Sequence, residues 1–100
     1  MQTYTVINTE PADRDLTAII EYITTEDSAY KALSFAQELL EVIQKNLSSF
    51  PKKYKRYKDC WLLPHKDYLV LFDVIDEDMR VEVLAITHAS QYLRYKDLTH

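Results

Sequence analysis

Histidine and tyrosine side chains near the C-terminal end of the sequence are the best candidates for proton transfer. His88 ends an apolar, strand-like run, and the ordinary pKa of histidine lies near neutrality, so His88 could act as a general acid or base. Tyr92 and Tyr95 follow, and a phenol there could orient a base or donate a proton. A structural interpretation stays open for each: His88 bonded to backbone or water, and the tyrosines packed on the sheet.

Positive charge is concentrated in one segment of an acidic chain. The net charge is −4, yet residues 51–66 carry six basic side chains and one acid. Cations can contact phosphates, and aromatic rings provide faces on which unpaired bases stack. The pattern is compatible with a nucleic-acid site, an acidic partner or a solvated lysine-rich loop. We call residues 52–58 the cationic segment; it holds Lys52, Lys53, Tyr54, Lys55, Arg56, Tyr57 and Lys58, and Trp61 follows as a further candidate contact.

Missing residue types exclude several catalytic devices. Without glycine the chain cannot form a phosphate-binding P-loop, a dinucleotide-binding turn or a nucleophile elbow, since each needs a residue without Cβ. The single cysteine, Cys60, excludes internal disulfides and multi-cysteine zinc sites, and it is interpreted as a small buried hydrophobe. His65, His88 and His100 are far apart in the sequence, so we expect no metal and no cofactor.

Length and hydropathy predict one domain in the cytoplasm. A chain of 100 residues is the size of a single domain, here residues 1–100. The first residues do not resemble a signal peptide, and no apolar run reaches membrane-spanning length.

Apolar periodicity predicts one strand and two helices in the first half of the chain. Residues 2–8 alternate as a short strand, and Asn8 or Thr9 offers an N-cap for a helix that runs to about residue 24. Asp27 or Ser28 caps a second helix over residues 29–49, which ends before Pro51. Two helices with so short a link predict an antiparallel hairpin.

The second half predicts three strands. These cover residues 60–63, 68–75 and 79–88; in the last of them Val81, Val83 and Ala85 alternate against Arg80, Glu82 and Leu84. The tail, residues 89–100, is interpreted as a short helix or irregular. The predicted order is β-α-α-β-β-β, an α+β fold with a helical hairpin on one face of a small, mainly antiparallel sheet.

In this order, the sequence resembles the RelE/ParE superfamily of type II toxin–antitoxin toxins, whose members include plasmid stabilisation proteins. Residues 12–23 are similar to the family's A-x-x-D-L-x-x-I-x-x-Y-I pattern, and residues 47–51 to its L-x-x-F-P. Residues 68–76 resemble its Y-x-V-x-Y-x-V strand, and residues 83–88 its last strand, which often ends in histidine. The resemblance implies a cytoplasmic growth inhibitor that a cognate antitoxin from an adjacent gene neutralises.

The resemblance implies two kinds of target. RelE-like members cleave mRNA on the ribosome without a metal, and ParE-like members poison DNA gyrase. Many relatives carry arginines after the last strand that would stabilise the phosphate, but here residues 88–91 read H-A-S-Q and the next arginine is Arg94. Relatives also tend to carry an arginine just before the central hairpin, near where this sequence has Trp61. We therefore predict a non-nucleolytic, gyrase-directed toxin.

Two alternatives remain at this stage. One is a RelE-like endonuclease that uses His88 or a tail tyrosine together with the cationic segment. The other is a degenerate member that only binds its antitoxin and helps to repress its operon. The sequence also leaves open whether two copies form a homodimer.

Overall fold

Two long helices pack on one face of a five-stranded sheet in the computed structural model, which describes residues 3–91. The elements are β1 (Thr5–Asn8), α1 (Glu10–Glu26), α2 (Ala29–Ser49), β2 (Lys55–Tyr57), β3 (Cys60–His65), β4 (Tyr68–Ile75) and β5 (Arg80–His88). The strand order is β1-β5-β4-β3-β2; β1 runs parallel to β5, and the other neighbours are antiparallel. The predicted α+β fold is confirmed, with one strand more than expected.

Both helices begin at side-chain caps that the sequence predicts. The Thr9 hydroxyl accepts from the Ala12 amide at 3.4 Å, and the Ser28 hydroxyl accepts from the Lys31 amide at 3.1 Å. These bonds satisfy amides that have no partner within the helix. Helix α2 ends at Ser49, just before the Phe50–Pro51 pair, because the residue before proline is disfavoured in helical geometry.

The core lies between the helical hairpin and one face of the sheet. Helix α2 supplies a fully buried stripe, and β4 and β5 supply the facing apolar side chains. A stripe at helical spacing opposite alternating strand residues is the pattern that buries one face of each element. The fully buried large side chains are Leu39, Ile43, Leu47, Val70, Phe72, Val81 and Val83.

A β-bulge in β5 overturns the simple alternation predicted for that strand. Leu71 pairs with Ala85 and Phe72 pairs with Val83, so Leu84 is the extra residue. Beyond the bulge the faces exchange: Val83 lies on the helix side, and so does Ile86, whereas Ala85 is placed on the open side of the sheet. As a result the strand brings His88 to the helix side.

The extra strand, β2, lies within the cationic segment. Lys55, Arg56 and Tyr57 pair with Leu62, Trp61 and Cys60 of β3 across a two-residue turn. Lys58 adopts a φ of 54° in that turn, a left-handed conformation that a lysine can reach but does not favour. Lysine is a weak strand former, so composition alone favoured a loop here; pairing with the apolar β3 strand determines the outcome.

Candidate functional site

The residues that the sequence singles out lie in two separate regions of the described chain. His88 ends β5 and pairs with Tyr68 at the start of β4. The cationic segment spans a 3₁₀ turn, Pro51–Lys53, and the edge strand β2. Tyr92 and Tyr95 lie outside the described residues.

His88 is held in place by the turn that follows it. The Ser90 amide donates to His88 Nδ1 at 3.1 Å, and Ser90 Oγ lies 2.8 Å from the same nitrogen. Nδ1 is therefore an acceptor, and the neutral ring carries its proton on Nε2. The ring packs edge-on against Tyr68, with centroids 5.2 Å apart. With Nδ1 bound to the Ser90 amide, His88 has the geometry of an N-cap for the helical turn at residues 89–91.

A cleft opens beside His88, under the projecting end of the helical hairpin. We call it the end cleft; its volume is about 810 Å³. It is lined by Asp15, Ala18, Ile19, Tyr22 and Ile23 of α1, Phe35 of α2, Lys66 and Asp67 of the β3–β4 turn, Tyr68 of β4, Ile86, Thr87 and His88 of β5, and Ser90 and Gln91. Most of this wall is aromatic or aliphatic.

Two contacts fix the shape of the end cleft. Asp15 Oδ2 accepts from the Ile86 amide at 2.9 Å, which ties α1 to β5 just beyond the bulge. Phe35 packs on Tyr68 with centroids 5.2 Å apart, which ties α2 to β4. Burial raises the pKa of the Tyr68 phenol above its ordinary value. Tyr22, by contrast, is 62% exposed at the rim.

A carboxylate clamp holds Lys66, one of the residues that line the cleft. Glu38 of α2 lies 2.7 Å from Lys66 Nζ and 3.2 Å from His65 Nε2, both measured to Oε2. These two contacts, that of Lys66 foremost, hold the pKa of Glu38 below its ordinary value. This trio is not visible in the local sequence because Glu38 is 27 residues away from His65; only the packing of α2 over β3 joins them.

The first cation of the cationic segment is already paired. Lys52 forms an ion pair with Asp76, and the Tyr4 hydroxyl donates to the other oxygen of that carboxylate at 2.8 Å. The pairing raises the pKa of Lys52 and lowers the pKa of Asp76, in each case mainly through their shared hydrogen bond. Lys52 therefore stabilises the corner between the 3₁₀ turn and the β4–β5 connection.

Two aromatic residues of this region, Tyr54 and Trp61, pack inward, whereas Tyr57 is half-buried on the open side of the sheet with Lys58 over its ring at 5.5 Å. Tyr54 meets the buried Phe72 ring edge-on, with centroids 6.2 Å apart, and Trp61 packs against the core. The Arg56 guanidinium lies over the Trp61 ring at 5.0 Å. Stacking an unpaired base requires an open ring face, and the core and Arg56 occupy the faces of Trp61.

Strand register separates the two regions. His88 and Arg56 both lie on the helix side, but β2 is three strands from β5, and Arg56 aligns through Trp61 and Phe72 with Val83. With ordinary strand spacing and rise, about 14 Å across and about 13 Å along the sheet, their backbones are roughly 20 Å apart. At that separation the described fold does not bring these residues to one phosphate.

Other candidate chemistry is weak in the described part of the chain. The Cys60 thiol donates to the Tyr57 carbonyl at 3.4 Å, and burial raises its pKa, which disfavours the reactive thiolate. Residues 3–91 contain no cluster of three side chains that could ligate a metal. No helix within this range is both long and apolar enough to cross a membrane.

Comparison with known proteins agrees with the fold and the motifs. The family described as ParE toxin of type II toxin-antitoxin system, parDE, matches residues 6–93. The chain belongs to this family. The RelE/ParE resemblance is thereby confirmed over most of the toxin sequence. No curated protein matches it significantly.

Solved structures with similar folds come from both branches of the superfamily. A chain of the chromosomal ParDE system of P. aeruginosa has a TM-score of 0.74 at 20% identity, covering 85% of this chain and 95% of that one. A chain of the RelBE2 toxin–antitoxin complex of Mycobacterium tuberculosis has a TM-score of 0.66 at 24% identity, covering 88% of this chain and 93% of that one. A mutant of E. coli toxin RelE in the free state has a TM-score of 0.55 at 18% identity, covering 95% of this chain and 93% of that one. At these identities the likeness establishes the fold.

Proposed function

We propose that this toxin inhibits growth by acting on DNA gyrase without cleaving RNA, and that a cognate antitoxin neutralises it in the cytoplasm. The family match favours the gyrase-directed branch, since its model is that of the ParE toxins. One structural observation carries the non-nucleolytic part: His88 and the cationic segment lie roughly 20 Å apart by strand spacing. Metal-free RNA cleavage needs an acid, a base and cations around one phosphate.

The open face of the sheet supports the same proposal. Its described centre is apolar, with Leu62, Leu69 and Leu71 side by side across β3 and β4. The nearest arginine on that face, Arg80, is engaged by Asp78 at 3.0 Å and Glu82 at 3.1 Å. Such an arginine is poorly placed to stabilise charge on a phosphate, because its donors already bind carboxylates.

The antitoxin part of the proposal rests on the hairpin end. Tyr22 is 62% exposed at the rim of the apolar end cleft, and Tyr30 and Leu33, at the start of α2, are 80% and 62% exposed at the same end of the hairpin. Exposed apolar side chains near an apolar cleft are typical of a protein-binding surface. We propose that the toxin is a single domain of residues 1–100 and that an apolar segment of the antitoxin covers this end of it.

Induced expression separates the candidate mechanisms. We expect growth arrest, inhibition of DNA supercoiling by purified gyrase, and unchanged mRNA ends, with His88→Ala and Tyr95→Phe as toxic as the wild type. Codon-positioned mRNA cuts that disappear in either variant would establish the endonuclease instead. Absence of toxicity, combined with antitoxin binding and operon repression, would identify a degenerate member.

Co-expression tests the partner. The toxin and the product of the adjacent small gene should purify as one complex, and Tyr22→Ser with Leu33→Ser should weaken it. Glu21→Gln with Lys45→Gln, on exposed polar positions of the same helices, provides the matched control. Two proteins that elute separately at micromolar concentration would contradict the proposal.

A further inference from the structure

The outer edge of β2 combines an open strand with exposed cations. In the described chain the sheet ends at β2, whose one neighbour is β3. Lys55 and Arg56 are both exposed along this edge. A terminal strand leaves a row of backbone amides and carbonyls unpaired, and these can pair with a further strand. The edge therefore offers both a backbone template and positive charge.

The two cations point to opposite faces of the sheet. Arg56 pairs with Trp61 and covers its ring on the helix side, so its neighbour Lys55 lies on the open side. Within residues 3–91 Lys55 has no ion-pair partner, whereas Lys52 is held by Asp76. A strand added beside β2 would meet one cation on each face. Two adjacent acidic residues on that strand satisfy this requirement, because successive side chains also alternate.

These observations favour a peptide over a nucleic acid. Tyr54 and Trp61 pack into the core, and Lys58 lies over the half-buried Tyr57 ring at 5.5 Å, so this edge lacks the row of open ring faces that binds single-stranded bases. Unpaired backbone groups along a strand edge match another peptide backbone and do not match a sugar-phosphate chain. We propose that the β2 edge binds an acidic, extended segment of a partner protein by strand addition, with adjacent acids contacting Lys55 and Arg56. This surface lies beyond the proposed toxin activity and does not depend on its target.

A synthetic peptide tests the pairing directly. The probe is a short capped peptide of threonine and valine with one central pair of glutamates, so that only one register places the acids beside Lys55 and Arg56, titrated into the full-length toxin by calorimetry at low salt. Two matched probes carry N-methyl groups on alternate backbone amides: one probe is methylated at the odd-numbered residues and the other at the even-numbered residues. In an edge strand only alternate amides face the sheet. We expect one methylated probe to bind like the parent and the other to lose about tenfold or more in affinity. Equal binding of all three would overturn strand addition.

Protein variants test the cations. Lys55→Glu with Arg56→Glu should weaken the parent probe about tenfold or more, since two attractive cross-strand pairs become repulsive. Lys55→Gln with Arg56→Gln provides a milder pair if the reversal disturbs folding. The control, Lys31→Glu with Lys45→Glu on exposed positions of α2, has the same charge change and should bind normally. Equal loss in the control would reduce the effect to net charge and overturn the proposal. So would a single-stranded RNA oligonucleotide that binds this edge more tightly than the peptide, with the same two residues required.

Discussion

The end cleft and the cationic segment lie at opposite corners of one sheet, and the fold uses their polar side chains differently. In the end cleft two polar side chains accept hydrogen bonds from the backbone: Asp15 accepts from the Ile86 amide, and His88 accepts from the Ser90 amide. In the cationic segment Tyr54 packs on the core, while Lys55 and Arg56 remain exposed. The cleft therefore presents mainly apolar surface, and the β2 edge presents charge. Surfaces so different are suited to different partners.

Both regions depend on the same core, and the largest effect should come from breaking it. Leu39 is fully buried between the hairpin and the sheet. Leu39→Asp places a charge there and should cost about 3–5 kcal/mol of unfolding free energy, a large part of the stability of a small domain. Urea unfolding followed by circular dichroism measures the loss.

The adjacent residue provides the control for that core substitution. Leu40 is 38% exposed on the outer side of α2, so Leu40→Asp should change the unfolding free energy by about 0.5 kcal/mol or less. Similar midpoints for the two variants would show that the α2 stripe is not the common core of the two regions.

The end cleft should respond to loss of one carboxylate. Asp15→Ala leaves the Ile86 amide without its acceptor and should cost about 1–3 kcal/mol. Asp15→Asn retains an acceptor oxygen and should recover most of the loss. Glu21→Ala on the exposed side of α1 is the control. If Asp15→Ala matches Glu21→Ala in chemical unfolding, the cleft does not depend on this contact.

Local patterns predict most of this fold, and register explains what they miss. The helices, their Thr9 and Ser28 caps and the central strand follow from periodicity and capping residues. The Leu84 bulge does not, because a one-residue insertion leaves the apolar composition of β5 unchanged while it moves His88 to the other face. The environment of His88 therefore depends on pairing with β4, which a pattern along one strand does not contain.

Long-range pairing also limits what could be predicted about the sites. The segment at residues 52–58 is visible as a charge pattern, but its strand comes from pairing with β3. The clamp of Glu38 with His65 and Lys66 joins a helix to a distant turn, and each residue is unremarkable in its local sequence. The proton-transfer roles considered for Tyr92 and Tyr95 stay predictions, because both residues lie outside the described part of the chain.

The Arg56–Trp61 stack should contribute modestly to the cationic segment. Replacing Arg56 by Met keeps the aliphatic stem but removes the cation over the ring, and it should cost about 0.5–1 kcal/mol, the usual range for exposed cation–π pairs. Trp61, the single tryptophan, reports the change by its emission spectrum and its unfolding midpoint. Lys55→Met is the control, and an equal effect of the two variants would mean that the ring contact adds nothing.

The smallest effect should be a difference in acid response, measured with one carboxylate from each region. The pKa of Glu38 is lowered by Lys66 and His65, and the pKa of Asp76 by Lys52 and Tyr4. A carboxyl whose pKa is lower in the folded state stabilises the protein above its unfolded-state pKa, about 4, and loses this contribution as pH falls through the folded-state value. Glu38→Gln and Asp76→Asn should therefore lower the urea midpoint slightly at pH 7, and each difference from the wild type should vanish at strongly acidic pH.

The two carboxylates should also differ at high pH and in salt. The raised pKa values of Lys52 and Tyr4 mean that their contribution is complete at neutral pH and is lost as pH rises through the folded-state values, above about 10. The effect of Asp76→Asn should therefore fade at both ends of the pH range. The charged side chains of Lys52, Asp76, Glu38 and Lys66 are 45–58% exposed, so molar salt should shrink both effects at pH 7. A midpoint difference that is independent of pH from 2 to 7 would assign the loss to packing and would remove the electrostatic part of the contrast between the two regions.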